Sequence, residues 1–163
     1  MFRKIYAAAA PLRRLGWAIA CAVLLLDQAT KIWAISALSD GHRVQAIPGL
    51  LHFTYVRNSG AAFSMGQGST LYLALFSLLV GVAIALFGGR SNELWLPMSL
   101  ILGGILGNLS DRIFRSPGGM KGHVVDWIEL PHWPIFNIAD SAVVIAASII
   151  VISALFQRKR TDA

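Results

Sequence analysis

Four long apolar segments divide the chain, at about residues 15–38, 70–87, 94–113 and 138–156. Each is close to the roughly 20 residues that a helix needs to cross about 30 Å of hydrocarbon. The first is interrupted by Asp27 and Lys31, whereas the second contains no charged residue. The pattern predicts an all-α integral membrane protein with four transmembrane helices, forming a single membrane domain over residues 1–163.

Two longer loops, about residues 39–69 and 114–137, lie between these apolar segments. In the first loop, the β-branched and aromatic stretch His52–Arg57 lies between Pro48-Gly49 and Gly60. Such a stretch bounded by turn residues predicts a strand. The strand indicates a small β-containing subdomain on one face of the membrane. In the second loop, Ser116-Pro-Gly-Gly119 predicts a turn.

The composition agrees with burial in lipid. The chain is 56% hydrophobic and 13% charged, with a mean hydropathy of +0.63, whereas soluble domains carry about 25% charged residues. The net charge of +6 comes from chain ends and loop edges and lacks the aromatic-interleaved patch typical of nucleic-acid binding. Cys21 is the single cysteine, which excludes an internal disulfide. The apolar run continues past Cys21, so a span is favoured over a cleaved signal peptide.

Lys and Arg are unevenly distributed between the two sides that four crossings would create. One side carries Arg3, Lys4, Arg13, Arg14, Arg90, Arg158, Lys159 and Arg160, and the other carries Arg43, Arg57, Arg115 and Lys121. Because positively charged flanks tend to remain in the cytoplasm, both termini are predicted to be cytoplasmic. The two longer loops are then predicted to face outward.

Charged side chains within the first span need an explanation, because each costs about 2.5–3.5 kcal/mol on insertion scales. Asp27 and Lys31 are four residues apart and therefore share a helix face. A structural ion pair and a charged anchor at the entrance of a site explain this spacing about equally well.

The third span carries a polar stripe formed by Asn108, Asp111 and Arg112. Gly103 and Gly107 add a GxxxG spacing that allows close helix packing. Polar groups can join helices in a membrane, but three strongly polar residues exceed what such packing requires, so a role in building a site is favoured. The charge of Asp111 is expected to be partly balanced by its neighbour Arg112.

Two further acids, Asp126 and Asp140, have no basic neighbour in sequence. Asp140 follows Asn137 at the start of the fourth span, where Asn137 is also a plausible N-cap and Asp140 would favour the first turn. Asp126 lies among apolar residues in a stretch predicted to be a short amphipathic element at the membrane surface. Glu129 is interpreted as a surface charge outside the site. Asp126 and Asp140 are thus free to share a proton.

The available residue types narrow the chemistry. Serine catalysis needs a basic partner. All 4 histidines lie in loops, so Ser64, Ser110 and Ser141 have no histidine within a span to act as that partner. No His or Cys spacing of the HExxH kind indicates zinc, and no cofactor or metal is expected. A carboxylate pair that shares one proton suffices for peptide hydrolysis. A protease is therefore favoured over a structural assembly factor and over a proton relay through Asp27, Asp111 and Asp140.

Several short motifs then occur in a recognisable order along residues 27–141. They are Asp27-Gln-Ala-Thr-Lys31, Asn58-Ser-Gly-Ala-Ala-Phe63-Ser64, Gly107-Asn108-Leu-Ser-Asp111-Arg112, Val125-Asp126-Trp127 and Phe136-Asn137-Ile-Ala-Asp140. Together they resemble the lipoprotein signal peptidases, also called signal peptidase II. Two features depart from that family: Trp127 stands where Phe is frequent, and the connection from Asp126 to Asp140 is short.

The resemblance implies an aspartic endopeptidase of the bacterial cytoplasmic (inner) membrane. Its substrate would be a prolipoprotein with a diacylglyceryl-cysteine, cut just before that cysteine to remove the signal peptide. Membrane lipid is a further expected partner, nucleic acid is not, and cyclic-peptide antibiotics of the globomycin type are expected inhibitors. By position, the resemblance assigns catalytic roles to Asp126 and Asp140, substrate binding to Asn58, Asn108, Arg112 and Asn137, and supporting roles to Asp27, Lys31 and Asp111.

The strand at residues 52–57 could clamp an extended signal-peptide segment, since it lies in an outward loop of the expected site. This is a hypothesis. Spin labels on the strand that stay equally mobile with and without substrate would contradict it.

Overall fold

The computed structural model describes residues 2–60, 69–88 and 93–161, with side chains described within 14–60, 70–88 and 93–156. It contains four helices and three strands within these ranges. In chain order they are α1 (Phe2–Leu38), β1 (Val44–Ile47), β2 (Leu51–Asn58), α2 (Ser69–Phe87), α3 (Trp95–Phe114), β3 (Val124–Glu129) and α4 (Ile138–Thr161). The predicted apolar segments therefore all form helices.

Three helices in the described ranges are long and apolar enough to cross a membrane: Arg14–Leu38, Thr70–Phe87 and Ile138–Phe156. Large apolar side chains on α2, including Leu75, Phe76 and Leu79, are exposed in the isolated chain. Lipid can cover such a surface, so the protein is an integral membrane protein. Helix α3 does not reach the same hydropathy, so the fourth predicted span stays a prediction.

Helix α3 lies at the centre of the bundle and packs against α1, α2 and α4. Its glycines make this approach possible. A Cβ at Gly103 would lie 2.6 Å from Val23 Cβ, and one at Gly104 would lie 2.5 Å from the Ala139 carbonyl oxygen. A Cβ at Gly107 would lie 2.6 Å from Asp27 Oδ2. The predicted close packing at the glycine face is confirmed, and it brings α1 and α4 to either side of α3.

The three strands form one antiparallel sheet in the order β1-β2-β3. The hairpin between β1 and β2 closes through a hydrogen bond from the Leu50 N–H to the Ile47 oxygen at 3.1 Å. Gly49 has a φ of 70° in this turn, a conformation that glycine adopts without steric cost. The predicted strand at 52–57 is confirmed as β2. It is the central strand, so a substrate would meet its side chains and not a free backbone edge.

The segment around Asp126 was predicted to be an amphipathic surface element, and this prediction is wrong. It forms β3, which pairs with β2 in a register that places Asp126 opposite Val56. Val125 and Trp127 on its other face are buried against Ala34 and Leu38 near the end of α1. The first four residues of the strand are buried, including Asp126 at 2% exposure, so β3 lacks the solvent-exposed polar face of an amphipathic surface element.

Aromatic rings fasten the sheet to α1. Trp127 makes edge contacts with Trp33 and Phe53, with ring centroids 5.3 Å apart in each case. Glu129, at the end of β3, receives two hydrogen bonds from Arg43 at 2.7 and 2.8 Å. The Arg43 hydrogen bond lowers the pKa of Glu129. Glu129 is thus a paired surface charge, in agreement with its exclusion from the predicted site.

Candidate active site

Asp126 and Asp140 are brought together by Asn137. Asp126 lies in β3 and is 2% exposed, whereas Asp140 lies in the first turn of α4 and is half-buried. Asn137 precedes the helix, and its Nδ2 donates to Asp126 Oδ1 at 2.6 Å. The Asn137 Oδ1 accepts the Asp140 backbone N–H at 2.9 Å, and Asp140 Oδ2 accepts the Asn137 backbone N–H at 3.2 Å. This reciprocal cap of α4 therefore also connects the two carboxyl groups.

Asn58 supplies the second contact to Asp126. It is the last residue of β2, and its Nδ2 donates to Asp126 Oδ2 at 2.9 Å. Its Oδ1 accepts the backbone N–H of Gly60 at 2.8 Å. Both oxygens of the Asp126 carboxyl group consequently accept an amide hydrogen bond, one from β2 and one from the start of α4.

Asn108 makes the corresponding contact to Asp140 from α3. Its Nδ2 donates to Asp140 Oδ1 at 2.8 Å. Its Oδ1 accepts from Lys31 Nζ at 2.9 Å and from Asn137 Nδ2 at 3.2 Å. The Asp140 carboxyl group is thus held from α3 while it remains partly open on its other side.

The orientation of all three amides follows from their partners. An ammonium group and a backbone N–H can only donate a hydrogen bond. The amide oxygens of Asn58, Asn108 and Asn137 must therefore face Gly60 N–H, Lys31 and Asp140 N–H respectively. Each amide nitrogen is then directed at a carboxyl group. The three asparagines form a preorganised set of donors around the two acids.

Burial raises the pKa of Asp126 to about 6, and the negative charge of Asp140 adds to this effect. The hydrogen bonds from Asn58 and Asn137 and the charge of Lys31 act in the opposite direction, because they stabilise the ionised form. Asp126 can consequently hold a proton close to neutral pH. A carboxyl group of this kind is suited to general acid–base chemistry.

Arg112 lies one turn after Asn108 and is 9% exposed. The charges of Asp126, Asp111 and Asp140 act on its guanidinium group. Its Nη1 is buried and has no hydrogen-bond partner in the part of the chain that the structure describes. Because an unsatisfied buried donor is costly, this atom marks a position where a ligand oxygen could be bound.

The predicted compensation of Asp111 by Arg112 is confirmed only in part, because the charge of Asp111 acts on Arg112 but Arg112 is not its ion-pair partner. Asp111 instead pairs with Lys31 at 2.9 Å and with Arg115 at 2.6 Å. Residues one apart on a helix point in different directions, whereas residues four apart are neighbours, which explains why Arg115 is the partner. Arg112 is thereby left to face Asp126 and Asp140.

The predicted ion pair of Asp27 and Lys31 is confirmed, with Nζ 2.8 Å from Asp27 Oδ2. It is part of a larger buried cluster with Asp111. Gln28 was not predicted to have a role, and its Nε2 donates to Asp111 Oδ1 and to the Gly107 carbonyl oxygen, both at 3.1 Å. Arg115 was missed as well, although its spacing of four from Asp111 is a recognisable signal.

An apolar cleft of about 290 Å³ opens beside Asp140. Its walls come from the segment after β3 and from the first two turns of α4. They are formed by Leu130, Trp133, Phe136, Asp140, Ser141, Val144 and Ile145. The hydroxyl of Ser141 donates to the Asn137 carbonyl oxygen at 2.8 Å, a contact within the first turn of α4. None of the described residues that line the cleft is basic. Ser64 and the rest of Ala61–Ser64 lie outside the described residues.

Comparison with known proteins adds to this geometry. The family model for signal peptidase (SPase) II matches residues 19–156. The chain belongs to the signal peptidase II family. It is 46% identical over 153 residues to the lipoprotein signal peptidase of Mycobacterium tuberculosis (strain ATCC 25618 / H37Rv), covering 91% of this chain and 76% of that one. With the lipoprotein signal peptidase of Mycobacterium avium (strain 104), identity is 44% over 159 residues, covering 91% and 87%.

A solved structure supports the fold of this signal peptidase II family member. A bacterial membrane enzyme solved by the in meso method at 2.3 Å has a TM-score of 0.75 and 29% identity, with 90% of each chain covered. Because signal peptidase II is a protease family, the chain is a membrane protease. The assignment to lipoprotein signal peptidases made from the sequence motifs is confirmed.

Proposed function

We propose that the protein is an aspartic endopeptidase that removes the signal peptide from diacylglyceryl-modified prolipoproteins by cutting before the lipid-modified cysteine. One observation carries this proposal: three oriented asparagine amides hold Asp126 and Asp140 around Asn137. The family membership supports the substrate class. The two acids supply the chemistry.

In the proposed reaction, the pair shares one proton. The ionised carboxylate removes a proton from a water molecule, whose oxygen attacks the scissile carbonyl carbon. The protonated carboxyl group then gives its proton to the leaving nitrogen as the C–N bond breaks. The raised pKa of Asp126, about 6, supports a pair that holds one proton close to neutral pH, and the two titration steps of such a pair belong to both groups together.

The surrounding polar residues have distinct proposed roles. Arg112, with its unpartnered Nη1, would donate to a carbonyl oxygen of the substrate. Asn58, Asn108 and Asn137 were expected to hold the substrate backbone. Their amides are directed at the two carboxyl groups. We therefore propose that their main role is to orient the acids, and that they contact the substrate while these hydrogen bonds remain in place.

We also infer that α3 is the fourth span of one membrane domain. Its 20 residues extend about 30 Å at 1.5 Å per residue, which matches the hydrocarbon thickness. Its low hydropathy comes from residues such as Asp111 and Arg112, which are buried inside the bundle. With four crossings, the charge distribution favours cytoplasmic termini and an outward site in the bacterial cytoplasmic membrane.

The apolar cleft beside Asp140 would receive an apolar part of the lipidated substrate, and inhibitors such as cyclic peptides of the globomycin type would compete for the same region. Val144→Trp should fill the cleft and raise KM for a diacylglyceryl-modified precursor by about tenfold or more, because even one methylene group in an apolar pocket is worth about 1–3 kcal/mol. Steady-state kinetics in detergent measure this effect.

The matched control is Val151→Trp. Val151 lies on the same helix with 57% exposure against 56% for Val144, but it does not line the cleft. Its KM should remain that of the wild type. Equal effects of both substitutions would contradict binding in the cleft.

The pH profile provides another prediction. Asn58→Ala removes a hydrogen bond that lowers the pKa of Asp126, so the pKa of Asp126 should rise. The proton shared by the pair would then be retained to higher pH, and the alkaline limb of kcat/KM should move upward. Tyr55→Phe, in the apolar cluster on the same strand, should leave the limb in place. A limb that moves downward in Asn58→Ala would contradict the proposed role of Asp126.

The substrate assignment is tested with purified protein in detergent. We expect cleavage of a diacylglyceryl-modified precursor and no cleavage of the same precursor with its cysteine replaced by serine. A chelator in a parallel reaction should leave the rate unchanged. Equal cleavage of both precursors would overturn the substrate class, and loss of activity with the chelator would overturn the metal-free mechanism.

A further inference from the structure

Lys31 occupies an unusual position, because its side chain is completely buried at 0% exposure between two equally buried acids. Its Nζ has three acceptors: Asp27 Oδ2 at 2.8 Å, Asp111 Oδ2 at 2.9 Å and Asn108 Oδ1 at 2.9 Å. A lysine ammonium has three donors, so all of them are used. A buried ion pair is weak evidence for stability, which leaves open what else this cluster does.

Each acid of the cluster binds the backbone directly before one of the proposed catalytic acids. Asp27 Oδ1 accepts the N–H of Ala139, the residue before Asp140, at 2.9 Å. Asp111 Oδ2 accepts the N–H of Val125, the residue before Asp126, at 3.0 Å. The cluster therefore fixes α4 and β3 at equivalent points relative to the two acids.

The third partner of Lys31 reaches the acids more directly. Asn108 faces Lys31 with its oxygen, and this turns its Nδ2 toward Asp140 Oδ1 at 2.8 Å. Asn137 Nδ2 also donates to this oxygen at 3.2 Å, but its two hydrogens are shared with the Val125 carbonyl oxygen and Asp126 Oδ1. Lys31 is thus the stronger donor on the oxygen side and favours this amide orientation over one that would present the Asn108 oxygen to the Asp140 carboxylate.

We propose that Lys31 is a positioning residue that orients the Asn108 amide toward Asp140 and holds the two acids that anchor the backbone before Asp126 and Asp140. This inference rests on the proposed peptidase function and adds a role in turnover to the structural ion pair. Lys31 touches neither substrate nor the reacting atoms, so its effect should appear in kcat with little change in KM.

Removing Lys31 alone would leave the buried carboxylates of Asp27 and Asp111 with Arg115 as their one ion-pair partner. Such a loss is strongly destabilising. The double variant Lys31→Met with Asp27→Asn avoids this, since it leaves Asp111 opposite Arg115. Asn at position 27 also retains an oxygen for the Ala139 N–H. We expect its kcat to fall about 10- to 100-fold, the loss typical of residues that orient the ligands of metal sites from outside, with KM within about threefold.

Two comparisons separate positioning from a purely structural role. Adding Asn108→Ala to the double variant should lower kcat by much less than the product of the two separate losses, because part of the effect of Lys31 passes through Asn108. Arg115→Gln removes a different cation from the same Asp111 carboxylate, on Oδ1 and away from Asn108. Its kcat should stay within about threefold of the wild type.

Lys31→Arg is the second variant if the double variant does not fold, because it retains every charge. Its planar guanidinium cannot converge on three acceptors around one nitrogen, so kcat should again fall at least about tenfold. A wild-type kcat in the folded double variant or in Lys31→Arg would overturn the inference, as would losses that multiply when Asn108→Ala is added. Failure of the proposed function would look different: the wild type would not cleave the diacylglyceryl-modified precursor, or Asp126→Asn would still cleave it.

Discussion

Asp126→Asn and Asp140→Asn should each lower kcat for a diacylglyceryl-modified precursor by about 100- to 10,000-fold, the contribution typical of one positioned acid or base. An asparagine cannot take up or release the shared proton, although it occupies nearly the same volume. Asp126 is buried with a raised pKa, so a neutral side chain at this position should be tolerated by the fold. Cleavage assays combined with thermal unfolding measure activity and folding separately.

Glu129→Gln is the matched control for these variants. Glu129 lies in the same strand as Asp126, three residues away, and its charge is paired with Arg43 on the surface. We expect its kcat to stay within about twofold of the wild type, since an ion pair at the exposed surface is screened by solvent and contributes little. Activity that survives in either aspartate variant, or that is lost equally in Glu129→Gln, would contradict the assignment of the pair.

Gly104→Ala should destabilise the protein by about 1–3 kcal/mol or more, the usual cost of overpacking. Its Cβ would lie 2.5 Å from the Ala139 carbonyl oxygen and 2.8 Å from Val143 Cγ2. The backbone of α4 cannot give way without shifting Asp140, which follows Ala139 directly. We therefore expect a lower thermal unfolding midpoint in detergent and, in the folded fraction, a lower kcat.

Gly81→Ala provides the comparison within the same bundle. A Cβ at Gly81 would lie 3.1 Å from Ile105 Cγ2 and would meet only side-chain atoms of the neighbouring helix, so a shift of a few tenths of an ångström is enough to accommodate it. Alanine also favours a helix over glycine by about 0.8–1 kcal/mol, so the midpoint should be unchanged or higher. Equal midpoints for Gly104→Ala and Gly81→Ala would contradict the close packing of α3 on α4.

Much of the helical architecture could be predicted from the sequence, because long apolar runs have few alternatives. The predicted span at 138–156 begins with α4 at Ile138, and the one at 70–87 ends with α2 at Phe87. Strand β3 was missed because a short apolar run around Asp126 does not distinguish a strand from another buried element. Its identity depends on pairing with β2, which lies far away in the chain.

The candidate site was less predictable than the fold. Motifs and the absence of a basic neighbour in sequence singled out Asp126 and Asp140, yet Arg112 lies close enough for both charges to act on it. The orientation of Asn58 and Asn108 could not be predicted. It depends on donors at Gly60 and Lys31, and for Asn108 the donor comes from another helix.

The most direct test of the proposed function is mass spectrometry of the products formed from one diacylglyceryl-modified precursor by the wild type and by Asp126→Asn and Asp140→Asn. We expect the wild type to yield a signal peptide that ends before the modified cysteine and a mature fragment that begins with it. Both variants should leave the precursor intact. Cleavage at another bond, or the same fragments from either variant, would contradict an aspartic signal peptidase with this pair of acids.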